Sequence, residues 1–171
     1  MATSQLVRVY MAGPLGFSEA GKYFHNKKLV PMVKKHGCQV LDPWKLTDKS
    51  KIDKVRAMPY GPAKKEAWRV LNIEIGQNNR KAIDKASVVV AVLDGTDVDS
   101  GTAAEIGYAF AKGWPIIGYR GDFRLSADNE GSKINLQVEY FIRESNGTIV
   151  TSLKDLDSEL KNLLKCKSTT K

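Results

Sequence analysis

Cysteine is scarce in this chain: Cys38 and Cys166 are the only two in 171 residues. Two thiols build no disulfide scaffold and offer no ligand spacing for a metal framework, so neither is expected. Long apolar runs are missing too. The longest, residues 86–93, is far too short to cross a membrane. No apolar signal region precedes the first strand-like segment. These absences point to a reducing cytoplasm and to no membrane partner. Internal repeats are lacking, and the lysine-rich tail after Leu164 is the one biased segment. With 42% hydrophobic and 27% charged residues, the chain reads as one folded, soluble domain over residues 1–171.

Negative charge is short in one half only. Residues 1–85 carry 17 Lys and Arg against 7 Asp and Glu, whereas residues 86–171 carry 10 against 12. The net charge of +8 therefore comes from the first half. Its lysine pairs (27–28, 34–35 and 64–65) fit solvated helix faces, and no aromatic interleaving or nucleic-acid motif accompanies them. A nucleic-acid partner is not expected. Asp94, Asp97 and Asp99 would also repel a phosphate backbone.

What is present is an alternation of strands and helices. Strands are predicted at residues 6–12, 38–41, 87–93, 115–119 and 148–151. Helices are predicted at 18–36, with Pro31 as a bend or break, and at 63–86, 101–112, 134–143 and 153–164. Residues 42–62 read as a long loop and 121–133 as a polar one. The unbroken run Val88-Val89-Val90-Ala91-Val92 demands burial on both faces, as in a parallel sheet. Right-handed crossovers then imply a flavodoxin-like α/β sandwich with strand order 2-1-3-4-5. Ligands bind such sheets outside the carboxyl ends of strands 1 and 3, where the winding reverses. The loops there are residues 12–18 and 94–100.

The second of these loops holds most of the chemistry. Asp94-Gly95-Thr96-Asp97-Val98-Asp99 leads into Ser100-Gly101-Thr102-Ala103-Ala104-Glu105, a carboxylate among small neighbours near a helix start. The positive end of the helix favours the ionised form. An ionised carboxylate can attack an electron-poor carbon. Asp99 either caps the helix or hydrogen-bonds a ligand hydroxyl. Asp94 is either a turn residue or a ligand group. Tyr10 points from strand 1, and its hydroxyl needs a partner if buried. Phe17 and Trp44 either stack on a flat ring or pack their loops. Gln137 either faces a ligand or lies on a helix surface. Arg120 and Arg124 either hold the loop Tyr119-Arg120-Gly121-Asp122-Phe123-Arg124 or touch ligand.

Tyr10-Met11-Ala12-Gly13-Pro14, Asp42-Pro43-Trp44, Asn79 with Ile83, residues 88–108 and Asn135-Leu136 together resemble the nucleoside 2-deoxyribosyltransferase family, over residues 6–150. The pattern Asp-Gly-x-x-x-Asp-x-Gly-Thr-x-x-Glu-Ile-Gly-Tyr-Ala is specific in combination. The resemblance implies deoxynucleosides and free nucleobases as substrates, with no cofactor and no metal. It implies Glu105 as the nucleophile at the anomeric carbon, through a covalent deoxyribosyl ester that a second base resolves with net retention. Tyr10 would orient Glu105, and Asp99 would bind the sugar 5'-hydroxyl. Gly13, Asn79, Asp94, Asp122 and Gln137 fall on substrate-facing positions. Asn135 would reach the 5' end of the sugar in a neighbouring subunit, so a homo-oligomer (dimer, tetramer or hexamer) is expected.

Two positions depart from the pattern. Asn79 stands where some members place aspartate, and an amide is no general acid. A water or Asp122 is then left to protonate the leaving base. Ser87 stands where many relatives have aspartate. The rival reading is a 2'-deoxynucleoside 5'-monophosphate N-glycosidase, for which Ser18, Lys22 and the basic half speak. Those enzymes carry serine where Asp99 stands. A flavodoxin-like binding module is the remote alternative. It would need hydroxyls in a phosphate-cradling loop, and Ala12-Gly13-Pro14-Leu15-Gly16-Phe17 has none.

Overall fold

The computed structural model describes residues 6–169, the side chains of 166–169 excepted. Residues 1–5, where the signal-region expectation partly falls, lie outside the described residues, as do the Cys166 thiol and the last two residues of the lysine-rich tail. Five parallel strands form one sheet of order β2-β1-β3-β4-β5. They are β1 (Arg8–Ala12), β2 (Gln39–Leu41), β3 (Val88–Val92), β4 (Ile116–Tyr119) and β5 (Thr148–Val150). All five residues of β3 are buried, as their continuous β-branched run requires of a central strand.

Side-chain alternation splits the core into two layers. On one face Tyr10, Ala12, Val89, Ala91 and Leu93 pack with helices α4 (Pro62–Lys85), α5 (Ser100–Ala111) and α6 (Leu136–Glu144). On the other, Val9, Met11, Val88, Val90 and Val92 pack with Leu29, Val33, Leu156 and Leu160. Those four come from the first helical segment and from α7 (Leu153–Thr169). The register pairs Tyr10 with Val89. Tyr10 therefore faces α4 and α5, the helices that carry Asn79 and Glu105.

Residues 42–62 are not a long loop. Asp42 accepts from the Trp44 amide and starts a 3-10 turn, Pro43–Lys45. Asp48 then accepts from the Ser50 amide and caps α3 (Lys49–Ala57). No residue of this helix is fully buried, and its half-buried apolar pair, Ile52 and Val55, is too short a stripe for a periodicity search to find. It lies along α4, with Lys51 Nζ 2.7 Å from Glu74 Oε1.

Pro31 does not break its helix either. α1 (Glu19–Phe24) runs through a π-helical stretch, His25–Leu29, into α2 (Val30–Lys35). The Val30 amide reaches back to the His25 carbonyl, five residues away. Proline cannot donate to the carbonyl four residues back and crowds it, and the wider turn absorbs both effects. The α6 start is later than predicted, because Asn135 is its cap rather than a helical residue. No described helix is long and apolar enough to cross a membrane.

Candidate active site at the carboxyl ends of strands 1 and 3

Glu105 sits in the second turn of α5, over the end of β1. Tyr10 donates its hydroxyl to Glu105 Oε1 at 2.6 Å. Asn79 Nδ2, from α4, approaches the same oxygen at 3.4 Å. No described residue donates to Oε2, which is left free. Burial pushes the Glu105 carboxyl up to about 7, the Tyr10 hydrogen bond pulls it partly back, and the Asp99 charge adds to the rise. Burial, then the charge and hydrogen bond of Glu105, hold the Tyr10 phenol far above its ordinary range. Tyr10 is thus held protonated, as a hydrogen-bond donor to Glu105.

Asn79 leaves its Oδ1 buried without a hydrogen-bond partner. An unsatisfied acceptor of this kind normally costs about 1–3 kcal/mol. Beside Glu105 it is a place where a ligand donor can bind.

Asp99 caps α5. Its Oδ2 takes the Thr102 amide at 2.9 Å and the Thr102 hydroxyl at 3.0 Å, and no described residue donates to Oδ1. The two sequence alternatives are therefore compatible: one oxygen ends the helix and the other remains for a ligand. Its charge contributes to the raised Glu105 carboxyl.

Other expected residues do not converge on Glu105. Asp94 Oδ1 accepts from the Asp122 amide at 2.8 Å, tying the loop after β3 to the loop after β4. Asp122 is clamped by the Arg124 guanidinium, which holds its carboxyl well below the usual range. A carboxylate kept ionised in this way has no proton to offer a leaving base. Gln137 is exposed on α6, and only its backbone amide is engaged, by Asn135 Oδ1. That oxygen also takes the Val138 amide, so the Asn135 side chain caps its helix and keeps its amide donors. Gly13 turns the chain off β1 with φ +154°, and a Cβ there would meet Val92 Cβ at 3.0 Å.

Of two structural centres, sequence reasoning left one with two alternatives and missed the other. Arg120 is buried and holds the carbonyls of Leu93, Gly95 and Arg124 and the Ser126 hydroxyl. It holds both loops, the first of the two alternatives, and does so through backbone oxygens, while Arg124 holds its loop by the ion pair with Asp122. His25 and Asp42 are a buried pair, with Nε2 and Oδ2 3.1 Å apart and off hydrogen-bond alignment. Lys45 Nζ stands 3.3 Å from the same oxygen. Burial raises the Asp42 carboxyl, but His25, the Trp44 amide and Lys45 outweigh it and hold it below the usual range. Nothing in the periodicity flags His25, because the π turn shifts the helical phase. Beside this pair, Phe17 meets Trp44 edge-on at 4.8 Å and 86°.

The sequence model of the family described as Nucleoside 2-deoxyribosyltransferase matches residues 9–137. Among solved structures, a conserved protein from Enterococcus faecalis V583 is 28% identical, with TM-score 0.66, over 92% of this chain and 98% of that one. A 2-deoxyribosyltransferase from Bacillus psychrosaccharolyticus is 20% identical, with TM-score 0.58, over 88% and 90%. A CMP N-glycosidase from Clostridium botulinum is 20% identical, with TM-score 0.53, over 91% and 98%. At such identities the latter two speak for the fold alone. No curated protein matches by sequence.

Proposed function

The chain belongs to the nucleoside 2-deoxyribosyltransferase family, and from that premise we propose that it moves 2-deoxyribose between nucleobases, with Glu105 as covalent carrier. The observation that carries this reading is the Glu105 carboxylate itself. One oxygen is fixed by Tyr10 at 2.6 Å and by Asn79, and the other is open at the ligand-binding edge of the sheet. A carboxylate held by one oxygen can attack with the second without reorganising.

In the first step Glu105 Oε2 bonds to C1' of a 2'-deoxynucleoside. The C1'–N bond breaks, its electron pair goes to the base nitrogen, and the base takes up a proton. In the second step a ring nitrogen of another base attacks C1', the ester bond breaks back to carboxylate, and the acceptor loses its proton. Two inversions give net retention. The ionised form of Glu105 is the active one, so the rate climbs as the pH passes about 7 in the free enzyme. Asp99 Oδ1 accepts the 5'-hydroxyl of the sugar. With Asp122 paired to Arg124, water is the better source of the proton for the departing base, and Asn79 holds that base by hydrogen bonds. The working protein is a homo-oligomer in which Asn135 serves a neighbour's site.

Hydrolysis of deoxynucleoside 5'-monophosphates is the second reading, favoured by the likeness of the fold to a CMP N-glycosidase. Against it stands Asp99, a second anion where a phosphate would lie. Ser18 Oγ is also already used to cap α1, accepting from the Gly21 amide. Incubation of deoxyinosine or thymidine with adenine tests the proposal. Deoxyadenosine is the expected product, and a mass increase of one deoxyribosyl unit is expected on the peptide holding Glu105 when a slow donor is used. Release of free base from monophosphates alone, with no exchange, would replace the first reading by the second.

A further inference from the structure

His25 and Asp42 are among the most enclosed polar residues of the molecule, at 4% and 5% exposure, and the transfer chemistry uses neither. We propose that they are positioning residues for an aromatic wall, made by Trp44 and Phe17, on which the nucleobase of the substrate stacks. This deepens the deoxynucleoside reading of the crevice and rests on it.

Asp42 directly follows the short strand β2, which lies beside β1. The register pairs Tyr10 with Leu41, so Asp42 comes next at the carboxyl end of the neighbouring strand, beside the crevice that holds Glu105. One Asp42 carboxylate oxygen receives the Trp44 amide at 3.1 Å and fixes the 3-10 turn that carries the indole. The other faces His25 at 3.1 Å and Lys45 at 3.3 Å. The Trp44 amide bond is the one aligned hydrogen bond the Asp42 carboxylate makes, and it is an orienting one. His25 is in turn set by the π-helical stretch, which packs its buried side with His25 and Leu29.

The indole so placed lies directly on the backbone of the loop after β1. A Cβ at Gly16 would fall 2.0 Å from the indole Cδ2, so no other residue leaves room for the ring. Phe17 then meets the indole edge-on. Both rings stay open, Trp44 at 38% and Phe17 at 76% exposure. A buried polar contact of this kind is a weak source of stability, because desolvation offsets its attraction. A rigid mount for two exposed aromatics, at the edge where the ligand enters, accounts for keeping one here. The ligand class that uses such a wall is a planar heteroaromatic ring.

The test compares His25→Leu, His25→Gln and Trp44→Ala in base exchange, after circular dichroism has shown each to be folded. His25→Leu and Trp44→Ala raise KM for the donor nucleoside about threefold to tenfold with kcat held within roughly twofold. His25→Gln, which can still donate to Asp42, falls between wild type and His25→Leu. A wild-type KM in folded His25→Leu overturns the proposal, as does a loss of kcat at unchanged KM. If His25→Leu does not fold, Asp42→Asn takes its place. It keeps an acceptor for the Trp44 amide but weakens the pairing with His25, and the same two outcomes decide. Should the wild type exchange no base at all, the transfer reading fails, and the wall is read by tryptophan quenching with free adenine. Quenching that disappears in Trp44→Phe and weakens in His25→Leu (or Asp42→Asn) supports the wall independently. No quenching in the wild type sinks it.

Discussion

At the scale of single residues, Glu105 is a group the fold holds at a cost. The folded protein keeps its proton up to about pH 7, while the unfolded chain releases it near 4.5. The folded state therefore binds more protons in that window, and stability falls as the pH rises through it. Stability from the protonated acid is complete below 4.5 and lost by about 7. Glu105→Gln has no such proton. Urea midpoints taken from about pH 4 to pH 8 should show wild type weakening relative to Glu105→Gln by on the order of 3 kcal/mol. Parallel curves would mean that the carboxyl is solvated. The same variant should lose base exchange entirely while remaining folded, and activity near wild type would remove Glu105 from the reaction. Asp99→Ser keeps a capping oxygen for α5 but takes away the second anion. It should weaken use of nucleosides and admit 5'-monophosphates, and an unchanged substrate profile would contradict the 5'-hydroxyl assignment.

At the scale of elements, the site depends on loops that are fastened from below. Arg120 leaves β4 and binds carbonyls at the end of β3 and within its own loop. Arg120→Met retains volume but strands those buried oxygens, at a cost of about 2–4 kcal/mol. A clear fall in the denaturation midpoint is expected, with KM rising because the loop before Asp99 loosens. A midpoint within error of wild type would show that the carbonyls find water instead. Helix α4 illustrates the complementary point. Only Leu71, Ala82 and Ile83 are buried along its 24 residues, so its second half carries the packing that aims Asn79. Its first half carries Val70 and Ile73 largely in solvent.

At the scale of the whole molecule, the proposed oligomer follows from Asn135. In a single chain its side-chain oxygen is committed to the cap of α6, and its amide donors are not. Asn135→Asp preserves the cap and deletes the donors, which separates folding from any service to a neighbour. That variant should be folded and poorly active. Mixing it with Glu105→Ala under conditions that exchange subunits should restore transfer, since some sites then combine an intact Glu105 with an intact Asn135. No recovery, together with a monomer in sedimentation, would confine the site to one chain.

The strand order, the buried central strand and the crevice between the loops after β1 and β3 were legible in the sequence. Each follows from local rules of burial, handedness and winding. Glu105 and Asp99 stand out in one dense motif of short spacing and Tyr10 in a separate segment, and only the fold sets Tyr10 against Glu105. Helix α3 was not legible, because its half-buried apolar pair, Ile52 and Val55, is too short a periodic trace. The His25–Asp42 pair was hidden for another reason, and Arg120 was legible only as one of two alternatives. What they do depends in part on partners 17 to 27 residues away in sequence, brought close only when the elements pack together. Composition and periodicity determine which face of each element is buried. Which polar groups meet inside, and with what charge, is decided by tertiary packing, because desolvation and directed hydrogen bonds arise only when those faces close on one another.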